Sequence, residues 1–65
     1  MIRKRLVADL ARRIKQAGGG FNTMIVDELL AGHPHLADAW DRLATSEPKR
    51  KRLLGDVRRA TTETL

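Results

Sequence analysis

Residues 2–20 read IRKRLVADLARRIKQAGGG, and the fold follows from how this stretch is spaced. At 100° per residue, Leu6, Leu10, Ile14, Val7, Ala11 and Ala17 share one arc, while Lys4, Lys15, Arg12 and Arg5 gather on the opposite side. The spacing predicts an amphipathic helix with a basic back. Gly18, Gly19 and Gly20 end it, because a glycine past the last turn enters the left-handed region without strain and three in a row cost too much entropy to continue. A tight cap or a flexible hinge is expected there.

Working outward, the same period recurs. Asn22 or Thr23 caps a second helix whose buried arc is Ile25, Val26, Leu29 and Leu30, with Asp27 and Glu28 close enough to its start to suit the dipole. Met24 falls outside that arc, an apolar group left for Phe21 or a partner to cover. Gly32 ends the helix. Pro34 suits the first turn of a third, in which Leu36, Ala39, Trp40, Leu43 and Ala44 share a face against Asp38, Asp41 and Arg42. Thr45 or Ser46, followed by Glu47 and Pro48, starts a last helix with Leu53, Leu54, Val57, Ala60 and Thr61 in its stripe. Gly55 weakens that helix by about 1 kcal/mol relative to alanine. No alternating run is long enough for a strand. The expectation is an all-α, compact three- to four-helix domain covering residues 1–65, with connections of two to five residues.

Length and composition narrow the function classes. The 65 residues include no cysteine, and no apolar stretch exceeds three residues, as in Met24–Val26. A disulfide framework, a thiolate metal site and a membrane-spanning run are excluded, and the cytoplasm is the default compartment. A chain this short builds a small core, so self-association, most simply a homodimer, is the expected staple. Catalysis has little to stand on: Ser46 is the only serine, there is no tyrosine, and nothing local pairs a nucleophile with a base and an orienting acid. A non-enzymatic protein without cofactor, metal or small-molecule substrate is expected.

Charge is the main functional clue. Thirteen Lys and Arg against eight Asp and Glu give a net charge of +5, and the sign is segregated. Residues 1–17 and 48–65 carry six basic residues each, whereas 18–47 carry five acidic residues and only Arg42 as a base. Pairs one helical turn apart absorb part of this: Asp9 with Arg5, Arg12 or Arg13, Arg52 with Asp56, Arg59 with Glu63, and Asp38 with Arg42. The run Lys49, Arg50, Lys51, Arg52 is harder to absorb. It occupies the first turns of a helix, where the dipole disfavours cations, and Glu47 answers only one of them, with Lys51 the expected partner.

Lys4, Arg5, Arg12, Lys15, Lys49, Arg50, Lys51 and Arg58 are therefore candidates for phosphate contacts, and the leading expectation is a small basic regulatory protein that binds DNA or RNA through its first and last helices. A solvated face on a domain kept soluble by excess charge is the plainer reading of the same run. The rival functional class is a protein-interaction module or inhibitor, of the kind mobile elements and operons encode, gripping an acidic protein surface. Phe21, Met24 and Trp40 are its interface candidates if exposed together; core packing is the plainer role for Trp40. A contiguous basic face with Met24 and Trp40 buried favours nucleic acid, and an exposed apolar patch rimmed by charge favours a protein.

Weaker signals are set aside. Residues 23–45 can be drawn as a helix-turn-helix, but the reading helix would expose Asp38 and Asp41 to phosphates and needs Trp40 and Leu43 for the core. His33 and His35 lie in a turn before a helix, where exposed or capping side chains are commoner than metal ligands. Gly18–Gly20 lacks the spacing and the lysine of a phosphate-binding loop. The Arg-rich start resembles a presequence or membrane-surface helix in composition, but its apolar arc has no aromatic anchor, and it reads as structural.

Overall fold

Asn22 and Ser46 open helices because their side-chain oxygens replace the missing intrahelical acceptors. Ile25 N–H donates to Asn22 Oδ1 at 2.8 Å and Lys49 N–H to Ser46 Oγ at 3.4 Å, each from a cap residue in extended conformation. The computed structural model describes residues 2–63, so residues 1, 64 and 65 of the expected domain lie outside the described residues. Within them the chain forms α1 (Ile2–Ala17), α2 (Thr23–Gly32), α3 (Pro34–Leu43) and α4 (Glu47–Thr62), with no strand among the described residues. The all-α class is as expected.

The glycine run is a tight cap. Gly18 N–H returns to the carbonyls of Ile14 and Lys15 at 3.2 and 3.1 Å, and Gly18 and Gly20 take φ of +80° and +77°, the region a side chain resists. One connection is shorter than expected: His33 alone joins α2 to α3. Its N–H reaches the Leu30 carbonyl at 3.3 Å, and its Nδ1–H donates to the Leu29 carbonyl at 2.8 Å. His33 thus caps α2 with backbone and ring together, which makes a longer turn unnecessary. The half-buried ring also accepts at Nε2 from Arg13 Nη1 at 3.0 Å, tying the joint to α1. Because a guanidinium only donates and a carbonyl only accepts, this geometry requires the tautomer with its proton on Nδ1. Of the two expected roles at this position, exposed or capping, His33 takes the capping one, and its contact with Arg13 adds a joint to α1.

The core is wholly apolar. Leu6, Leu10, Ile14, Val26, Trp40, Leu53 and Val57 form one buried cluster, with Val7, Phe21, Ile25, Leu29, Leu30, Leu36, Leu43 and Leu54 packed around it. Ala17, placed on the α1 arc by spacing, is exposed because α1 ends there. Both α1 and α3 pack against all three other helices. The α1–α4 contact follows the same order along both helices, from Arg3 with Asp56 to Lys15 with the Glu63 carbonyl, so the two run in the same general sense. A radius of gyration of 10.8 Å matches the ~11 Å that scaling gives for a chain of this length.

Candidate nucleic-acid interface

Five ion pairs account for the charge that is neutralised among the described residues. Asp9 holds Arg12 at 2.6 Å and Arg13 at 3.0 Å, Glu47 holds Arg50 at 2.8 Å, and Asp56 holds Arg59 at 3.4 Å together with Arg3 from α1. In every pair within one helix the acid precedes the base by three or four residues, the orientation the helix dipole favours. That rule corrects three expected pairs. Asp9 takes the arginines that follow it and leaves Arg5. Asp56 takes Arg59 and leaves Arg52. Arg59 reaches back to Asp56 instead of forward to Glu63. Glu47 takes Arg50 instead of Lys51, because the planar guanidinium fits both carboxylate oxygens, at 3.0 and 2.8 Å. The Arg50 hydrogen bond holds the Glu47 carboxyl below the usual glutamate range and raises the Arg50 guanidinium in turn. The expected Asp38–Arg42 pair does not form, and nothing in the packing explains it.

The eight predicted phosphate contacts divide accordingly. Lys4 and Lys15 lie on the side of α1 that meets α4. Together with Arg3, Val7, Asp56, Arg59, Ala60 and Glu63, Lys4 lines a depression of about 290 Å³, and Lys15 with Ala8, Ala11, Arg12, Gln16 and Ala60 lines one of about 470 Å³. Ala60 is common to both, so they form one shallow trough along the α1–α4 seam, lined by alanines and by five cations, Arg3, Lys4, Arg12, Lys15 and Arg59, with the carboxylates of Asp56 and Glu63 among them. Lys49, Lys51 and Arg58 are exposed on α4 and join no ion pair among the described residues. Arg12 and Arg50 are answered by Asp9 and Glu47, and Arg50 is half-buried. Arg5 is turned away from the seam, into a groove beside α3.

Sequence spacing missed Arg52 and Arg59. Arg52 is exposed without an ion pair among the described residues, and Arg59, two turns later on the same face, edges the trough. Spacing carries no signal for this, because Asp56 receives Arg3 from α1 as well as Arg59 and cannot neutralise both.

Of the three interface candidates, Trp40 is 7% exposed and belongs to the core, because α3 is wedged between the other helices and turns its Leu36, Trp40 and Leu43 face inward. Phe21 is half-buried against the same core and does not cover Met24. Met24 alone stands out, at 71% exposure. The discriminating pattern is therefore mixed, a cationic seam with a buried tryptophan but an uncovered methionine. His35 is exposed, and no cluster of three His, Cys, Asp or Glu side chains capable of holding a metal occurs among the described residues. No helix among the described residues is long and apolar enough to cross a membrane. Comparison with protein-family models, with curated proteins and with solved structures finds no match to this chain.

Proposed function

We propose that the protein is a non-enzymatic cytoplasmic regulator that binds the phosphate backbone of nucleic acid along the α1–α4 seam, and that it works as a homodimer. The carrying observation is the charge that stays unpaired. Asp27, Glu28, Asp38 and Asp41 on α2 and α3 are exposed and join no ion pair among the described residues, yet Lys4, Lys49, Lys51, Arg52 and Arg58 also lack carboxylate partners in a molecule only 29 × 22 × 22 Å across. Cations that served only to stabilise the fold would meet these acids. Left over in this way, they give α1 and α4 an excess of positive charge, which attracts a polyanion.

The trough suits a backbone rather than a base edge. Its alanine lining lets a sugar-phosphate chain approach closely, and its lysines, Lys4 and Lys15, are long and point-like, which positions phosphates without reading sequence. From Lys4 to Lys15 the seam runs about 16 Å at 1.5 Å per residue, long enough for a short stretch of one strand's backbone. Blocking or recruiting at an occupied site is the corresponding mode of action.

Charge reversal tests this reading. In anisotropy titrations with labelled duplex and single-stranded oligonucleotides, Lys4→Glu with Lys15→Glu, and Lys49→Glu with Lys51→Glu, should each weaken binding by tenfold or more at low salt, while Asp38→Lys with Asp41→Lys should leave or strengthen it. Equal affinity for all variants, or no binding by the wild type, would remove the proposal.

A further inference from the structure

Among the described residues two large apolar side chains are exposed, Met24 at 71% and Ile2 at 50%, and their surroundings carry opposite charge. Met24 projects from α2 with Asp27 and Glu28 one turn ahead, both exposed and outside every ion pair of the described residues. Ile2 forms one wall of a groove of about 390 Å³ between α1 and α3, which Leu6, Leu36 and Ala39 also line and Arg5 and His35 edge. Asp9 borders this groove as well, but Arg12 and Arg13 already hold its carboxylate. Arg5 is the cation that intrahelical pairing left over and that the fold turned away from the α1–α4 seam.

We infer that this groove is the seat of Met24 from a second copy of the chain, with Arg5 facing the incoming Asp27 and Glu28. A methionine is unbranched and adapts to a shallow apolar slot. Asp27 and Glu28 beside it match the unpaired guanidinium of Arg5 at the groove. Used in both directions, the contact closes a two-fold pair in which each copy supplies one knob and one slot. The inference rests on the homodimer half of the proposed function and is independent of the nucleic-acid half, since neither Met24 nor the Arg5 groove belongs to the seam.

The test is a charge swap read by sedimentation velocity at low salt, over roughly 10 µM to 1 mM, where a contact of modest area is populated. The wild type associates. Arg5→Glu places acid against acid and Asp27→Lys with Glu28→Lys places base against base, so each variant alone should associate at least about tenfold more weakly. Mixed in equal amounts they should recover a 1:1 complex, because the wild-type knob of one meets the wild-type slot of the other and the swapped pair meets in return. Met24→Ala should weaken association of the otherwise unchanged chain. Far-UV circular dichroism of each variant shows that the helices are retained. A wild type that remains monomeric throughout, variants that associate like the wild type, or a mixture that fails to recover the complex would each overturn the inference, and none of these results depends on oligonucleotide binding.

Discussion

Asp56 receives Arg3 from one helix and Arg59 from another, and such choices of partner are what spacing alone leaves open. The acid-before-base orientation decides most of them, and it is readable in the sequence once it is applied. Glu47 gives the sharpest residue-scale prediction. Its folded carboxyl titrates below the ordinary glutamate value because Arg50 donates to it, so the pair contributes stability that is fully present above the unfolded value and is lost as pH falls through the lowered folded one. A carboxyl-carbon NMR titration should place the Glu47 midpoint below that of an unstructured glutamate, and Arg50→Gln should return it; a midpoint unmoved by Arg50→Gln contradicts the assignment. The glycine run separates in the same way. A Cβ would meet nothing within 4 Å at Gly18, Gly19 or Gly20, so only backbone strain distinguishes them. Gly18→Ala and Gly20→Ala should each cost about 1 to 2 kcal/mol, from their positive φ, whereas Gly19→Ala should be neutral or slightly stabilising in urea unfolding.

At the scale of the element, the sequence was legible almost to the residue. Asn22, Pro34 and Ser46 mark helix starts because each acts through local chemistry, a side-chain acceptor or a missing donor, that needs no knowledge of the fold. His33 was not legible in this way. Its ring is half-buried and meets Arg13 from α1, a tertiary contact that no i to i+4 pattern records. Gly55 sits inside α4 with open space where a Cβ would go, so it has no packing reason to be glycine. Gly55→Ala should stabilise the chain by about 1 kcal/mol, raising the melting temperature by roughly 4–8 °C for a domain of this size. A melting temperature that falls instead would mean that α4 is bent or crowded there.

For the whole molecule, segment counts had already separated basic ends from an acidic middle, and the fold preserves that separation: none of the ion pairs among the described residues joins α1 or the body of α4 to an acid on α2 or α3. What the sequence could not supply is sidedness. Lys4 and Arg5 are neighbours in the chain, yet one edges the seam with α4 and the other the groove against α3, and only the packing of three helices around α1 separates them. Trp40 takes the plainer of its two expected roles, in the core, because α3 lies between its neighbours. The central claim, a cationic seam that binds phosphates, is tested most directly by the salt dependence of duplex binding. At most five phosphate contacts, one for each cation edging the seam, at about 0.9 each predict that log K falls against log salt with a slope no steeper than about −4 to −5, and that replacing Lys4 and Lys15 by glutamine flattens it by about 2. A slope near zero, or one unchanged in the Lys4→Gln, Lys15→Gln variant, would contradict it.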